Sequence, residues 1–276
     1  MNINKTIFFN EYINKVGIEF EGLFKQTLFD ELGDNLRNSD PQFDNFHSDG
    51  SISGGYSNEI AYELITRPLG EDDLNTVIDR MADYQNNKLY RLNSSTGLHF
   101  HVSLNKCYYA YIDNKSFFDK FVEMFKKVCP EVYKERKESS YCRFQTSDNH
   151  FSLSSPSRYT AVNYCYKKHG TVEFRAYGGS KATIIGLAEV INKTLALIKE
   201  EIEYQEDILC KSENKNVEIE ESNDCKARVR KFEYKREIVR PREILIRKIE
   251  RPKNESVISF KSLSIKKNIE VDITYN

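Results

Sequence analysis

Three segments of this chain place two polar, chemistry-bearing side chains two residues apart between apolar neighbours: KVGIEFEGL over residues 15–23, LHFHVSL over 98–104 and TVEFRAY over 171–177. A strand sends alternate side chains to opposite faces, so each segment predicts a strand with one apolar and one polar face. Glu19 and Glu21 share a face on the first, His99 and His101 on the second, and Glu173 and Arg175 on the third. Side by side, the three strands would make a wall of carboxylate, imidazole and guanidinium. Two glutamates on one strand face repel, more strongly as the local dielectric falls, unless a cation compensates them. A bound metal resolves that conflict. Carboxylates with an imidazole suit Mg2+ or Mn2+ better than structural zinc, which prefers thiolates and several histidines. Each pair alone also has a plain reading: ExE as a solvated face, HxH as a hydrogen-bonded polar pair, ExR as part of a cross-strand ion pair. Their ordered occurrence, with a glycine ahead of the first two and a DGS loop and a glutamate-bearing strand between them, favours a common site.

The rest of the chain supplies the surroundings. Leu28 to Tyr56 is rich in Asp, Asn, Ser and Gly, and its DGSISGG stretch reads as loop and turn. NEIAYELIT (58–66) predicts a strand that Pro68 ends, since proline has no amide to donate. Leu74, Val77, Ile78, Met81 and Tyr84 follow helical spacing behind the acidic start Glu71, Asp72, Asp73. A second helical stripe, Phe117, Phe118, Phe121, Val122, Phe125 and Val128, ends near Pro130, and a third runs from about Thr183 to Glu203. The expected fold class is α+β: a mostly antiparallel sheet with helices packed outside. From 206 onward the composition changes to an acidic stretch followed by a basic one with short β-prone runs such as FEYKREIV and REILIRKI. This divides the chain into a catalytic domain over 1–205 and a small, charged, β-rich C-terminal appendage over 206–276.

The ordered set GIEFEG, DGS, YELITRPL, GLHFHVSL, RYTAVN and TVEFR resembles the amidoligase family, within the carboxylate–amine ligase superfamily typified by glutamine synthetase and glutamate–cysteine ligase. The resemblance covers roughly residues 15–200 and implies a curved antiparallel sheet wrapped around the cations, as in the glutamine synthetase catalytic domain. It implies an ADP-forming ligase that uses ATP with two or more Mg2+ (or Mn2+) ions to join a carboxylate to an amine, on small molecules, a peptide or a protein. Glu19, Glu21 and Glu63 would be metal ligands, with His99 and Glu173 holding the ion that bridges the ATP phosphates. His101 would orient substrate or support the metal ligands. Arg175 and Arg158 would contact phosphoryl oxygens, where a planar fork gives bidentate contacts, and Arg143 is a weaker candidate whose plain reading is a surface salt bridge. Asp49 and Ser51 would line the substrate side, Asp49 as acceptor of the amine proton. Asn163 would hold nucleotide or cap local backbone. Glu59, four residues before Glu63, would reach the metals or face solvent.

Amide formation is uphill in water, so such a ligase activates its carboxylate as an acyl phosphate, with cations and arginines neutralising the transferring group. No GxxxxGK[ST] is present, so the nucleotide would lie in the open mouth of the sheet rather than in a P-loop. A cupin-like barrel also uses HxH but wants a glutamate a few residues later, where this chain reads VSLNKCYY. A two-metal phosphodiesterase or nuclease, gripping phosphates through the basic 227–253 segment, is the main rival enzyme. A catalytically inactive binding protein comes third. The 41 basic and 42 acidic residues nearly cancel, so the overall field favours neither nucleic acid nor membrane. The six cysteines show no CxxC spacing, which predicts reduced thiols. No apolar run approaches the roughly 20 residues of a membrane span, and the start lacks a signal-like apolar core, giving the expectation of a soluble cytoplasmic protein. The C-terminal segment is read as packing on the core, or as docking a protein partner or a second subunit.

Overall fold

Alternation along Ile13–Lys25 (β1) buries Val16, Ile18, Phe20 and Phe24 and leaves Glu19 and Glu21 on the opposite face, so one long strand separates core from site. β1 is central to the sheet in the computed structural model, which describes residues 6–37, 40–105, 108–144 and 159–223. After β1 come α1 (Gln26–Arg37), β2 (Phe43–Ser48), β3 (Glu59–Thr66), α2 (Glu71–Asn86), β4 (Tyr90–Arg91) and β5 (Leu98–Leu104). Then follow α3 (Tyr109–Ile112), α4 (Lys115–Val128), α5 (Pro130–Arg136), β6 (Val162–Asn163), α6 (Tyr166–His169), β7 (Val172–Phe174) and α7 (Ile184–Asn223). The strands form one open antiparallel sheet in the order β2-β3-β1-β5-β7-β6, with β4 also pairing with β1. The chain is therefore α+β. The three strands with paired polar residues are neighbours, β1 against β5 and β5 against β7.

The apolar face carries the core. Phe100 and Phe174 stack across β5 and β7 with ring centroids 4.9 Å apart, and Phe121 of α4 meets Phe174 at 5.1 Å, which fixes that helix on the sheet. Such rings are fully buried, and truncating one to alanine typically costs about 3–5 kcal/mol. Asn114 caps α4 by accepting the Phe117 amide at 2.8 Å. α7 packs on α2, α3 and α4, burying Leu187, Val190, Ile191, Leu195 and Ile198. Both polar and apolar faces are thus accounted for by period-two alternation.

Three expectations need adjusting. The polar stretch 28–56, for which no helix or strand is expected, holds most of α1 and all of β2, and β2 borders β3. Pro130 does not merely stop α4; it opens α5 in its first turn, where its missing amide leaves no helical bond unmade. α7 runs across residue 206 as far as Asn223, past the expected change of character. The β-prone runs expected over 227–253 lie outside the described residues.

Candidate metal centre

Strand register brings the polar pairs together. Glu19 lies opposite His99, Glu21 opposite Glu63, Glu63 opposite His47, His101 opposite Glu173, and Glu173 opposite Asn163. Nδ1 of the buried His99 is 3.1 Å from Glu19 Oε2, 3.6 Å from Glu21 Oε1 and 3.9 Å from Glu173 Oε1. One donor atom from each of Glu19, His99 and Glu173 lies within 4.8 Å of the others, a spacing that could hold a metal ion. Gly97, just before β5, makes the close approach feasible. Its amide donates to Glu21 Oε2 at 2.6 Å, and a Cβ there would sit 2.4 Å from His99 Nε2 and 2.8 Å from Glu21 Oε2. Only glycine leaves that cradle clear.

The groups around the cluster hold it in unequal electrostatic states. Burial tends to raise the Glu19 pKa, but hydrogen bonds from His101 and His99, and their charges, outweigh it and hold the carboxyl well below the usual range. Burial likewise opposes the charge on His101, but hydrogen bonds with Cys165 and Glu19 and the charges of Glu19 and Glu173 push it up to about 10. Its two nitrogens are engaged, Nε2 with Glu19 Oε1 at 2.9 Å and Nδ1 with Thr171 Oγ1 at 3.3 Å. His101 therefore supports Glu19. Glu63 is pushed up to about 8, first by burial and then by the charges of Glu19, Glu21 and Asp49. Its one nearby basic group among the described residues is His47, whose Nε2 lies 3.4 Å from Glu63 Oε2.

The remaining expected residues divide clearly. Glu173 is buried, paired with Arg175 Nη1 and accepting the Asn163 side-chain amide at 2.7 Å. Asn163 thus orients a carboxylate through its side-chain amide, a contact not foreseen from its position in the sequence. Arg175 Nε is buried with no hydrogen-bond partner among the described residues. Asp49 belongs to the field around Glu63, but its Oδ1 accepts the Ser51 amide at 2.7 Å in a tight turn, and Ser51 is exposed. Arg143 is exposed; its backbone bonds with Tyr159 and Ala161, and its side chain makes no contact with the cluster among the described residues. Arg158 lies outside the described residues. Glu59 is taken by other partners, Arg91 Nη2 at 2.7 Å and Lys25 Nζ at 3.7 Å.

Sequence reasoning missed His47 and the Gly97 amide. The first sits on a strand whose register shifts between Phe43 and Asn45, which breaks the alternation that would have announced it. The second is a backbone group, for which the glycine before HFH was the available sign. Four carboxylates from three strands and the His99 imidazole form an oxygen-rich set of the kind that could hold a hard divalent cation, with the Arg175 guanidinium beside it as a hydrogen-bond donor. Comparison of the chain with models of known protein families and with curated proteins gives no match.

Proposed function

We propose that this chain is a divalent-cation-dependent ligase that uses ATP to join a carboxylate to an amine, releasing ADP and phosphate. The observation that carries this reading is the placement of His99 Nδ1 within 3.1–3.9 Å of three carboxylates, with Arg175 beside Glu173. Glu19, His99 and Glu173 would hold one Mg2+ or Mn2+, with Glu21 and Glu63 available to a second. Bound there, such ions would neutralise phosphoryl oxygens and so ease transfer of the terminal phosphoryl group of ATP to a carboxylate. Arg175, with Arg158, would grip those oxygens by its planar fork. Asn163 keeps Glu173 turned toward the cluster, and His101 keeps Glu19 so turned. Asp49, on the loop beside Glu63, would take the proton from the amine. An open antiparallel sheet with core on one face and carboxylates on the other supports a glutamine synthetase type of catalytic domain. The substrates would be a small, peptide or protein carboxylate and amine, with the C-terminal segment as a docking element for a partner.

The test is product analysis with ATP, Mg2+ or Mn2+, and panels of carboxylates and amines. ADP and phosphate formed only when both acceptors are present is the expected result, and Arg175→Lys should lose turnover while keeping its charge. AMP with pyrophosphate contradicts the reading. Cleavage of nucleic acid without ATP, abolished by Glu21→Gln, favours a two-metal phosphodiesterase instead.

A further inference from the structure

Arg136 ends α5 with 6% of its surface exposed, yet no carboxylate pairs with it among the described residues. Its Nη1 donates to the Thr96 carbonyl at 3.4 Å and its Nη2 to the Arg175 carbonyl at 3.4 Å, while Nε has no hydrogen-bond partner among the described residues. A buried guanidinium satisfied by two long carbonyl contacts is costly on its own, so its charge calls for compensation nearby. Thr96 and Gly97 share one peptide group. The carbonyl end of that group faces Arg136, and its N–H end donates to Glu21 Oε2 at 2.6 Å. A trans peptide points its two ends in opposite directions, so its dipole lies between a buried cation and a carboxylate with both ends favourably placed.

The other bonds of this peptide are neutral. The Thr96 hydroxyl closes a local turn on Asn93, and the Thr96 carbonyl also accepts the Gly179 amide at 2.9 Å. Those bonds set its position. Arg136 adds the charge that strengthens the Gly97 N–H as a donor, and it ties the start of β5 to the end of β7 by holding carbonyls from both.

We infer that Arg136 is a positioning residue that acts through the Thr96–Gly97 peptide to fix the Glu21 carboxylate for a divalent cation. The inference rests on the functional reading above in taking Glu21 as a cation ligand. Its test uses the full chain. In the metal-free protein the Gly97 amide proton, assigned by NMR, should move in Arg136→Met in the same sense as in Glu21→Gln. In Mn2+ titrations of folded protein, Arg136→Met should bind about tenfold more weakly, the effect expected for a partner that orients a ligand. Combining Arg136→Met with Glu21→Gln should cost no more affinity than Glu21→Gln alone. Glu201→Gln, which removes the charge of the buried Glu201 from its pair with the exposed Lys120 on the helical side, should lower stability and leave both readouts unchanged. Should Arg136→Met not fold, Arg136→Gln carries the same readouts, since a neutral amide keeps a donor but removes the charge behind the Thr96 carbonyl. An unmoved Gly97 amide overturns the inference, and so does a moved amide with wild-type Mn2+ affinity. Wild-type protein that binds no Mn2+ sinks the functional reading instead, and the metal-free amide then still decides whether Arg136 holds Glu21.

Discussion

Glu59 and Glu63 lie four residues apart on the same face of β3, at two positions of one ladder with β1. Glu59 faces Lys25 across that ladder and takes Arg91 from β4, and these partners, Arg91 first, lower its pKa despite burial. Glu63 faces Glu21 instead, with Glu19 and Asp49 also close, and its pKa is driven up to about 8. The same residue type on the same strand is thus neutralised by the protein at one end and left short of positive charge at the other. A fold that wanted only a stable sheet could have placed a lysine opposite Glu63 as it did opposite Glu59. The charge deficit is local, and it coincides with the histidine and carboxylate donors around Nδ1 of His99.

The largest expected effect follows from removing a donor at the deficient end. Glu173→Ala or Glu21→Ala should lower cation-dependent ATP turnover by about 10²–10³-fold, the scale of losing one preorganised electrostatic group. Metal-free Glu21→Ala should melt no lower than wild type, because one of several crowded carboxylates has gone, whereas metal-free Glu173→Ala should melt lower, because it strips the buried Arg175 and Asn163 of their shared partner. Calorimetry showing unchanged cation and nucleotide binding would make these residues structural. The pH dependence is next in size. Glu63 has a folded pKa of about 8 against an ordinary 4.5, so across that window the folded state holds the extra proton and metal-free stability falls as pH rises. His101, raised to about 10 from 6.5, has the same sign, contributing stability below 6.5 that is lost as pH climbs through 10. As a cation ligand Glu63 would have to give up its proton, so affinity should rise with pH up to about 8 and then level off. Thermal melts and Mn2+ titrations from about pH 5 to about pH 10 check both, and Glu63→Gln should flatten the part below 8 while leaving the His101 part in place.

Much of this contrast is legible in the amino-acid sequence, and what escapes it does so for physical reasons. Glu19, Glu21, His99 and His101 are readable as same-face pairs because β1 and β5 alternate through these positions, and Glu173 because the apolar Val172 and Phe174 flank it. Alternation cannot say which strands are neighbours, so the crowding of Glu63 against Glu21 depends on register that only the fold supplies. The separate fates of Glu59 and Glu63 are undecidable from spacing, since both share a face and differ only in what β1 and β4 place opposite. Asn163 is hidden because its role depends on a two-residue strand, too short to carry a period. α1 is the avoidable omission: Leu28 and Leu32, both fully buried, are one helical turn apart in a stretch dominated by polar residues.

His47 offers a smaller test of the same contrast. It is the basic group beside Glu63 that spacing does not reveal, and it is half exposed. If it orients Glu63, His47→Ala should weaken Mn2+ binding by about tenfold and leave the fold intact. Unchanged affinity would leave Glu63 without any supporting partner at its own end of the ladder and would move the cation toward Glu19, His99 and Glu173.

The smallest effect belongs to the neutralised end. Arg91 bonds Glu59 at 3.2 and 2.7 Å and lies over the exposed Tyr56 ring at 4.9 Å, but its own side chain is 37% exposed, so water screens much of the pairing. Arg91→Ala should therefore cost about 0.2–1 kcal/mol, the range of exposed ion pairs, with Lys25 remaining to Glu59. In a chain of this size that is a fall of no more than about 4 °C in melting temperature. Added salt should shrink the difference between variant and wild type, because the Arg91 end of the pair is open to solvent although Glu59 is not. Mn2+ affinity should not change, since Glu59 makes no contact with the cluster around His99 among the described residues. A loss of cation binding in Arg91→Ala comparable to that in Glu63→Gln would break the comparison, because it would mean that the two ends of the ladder share one electrostatic site.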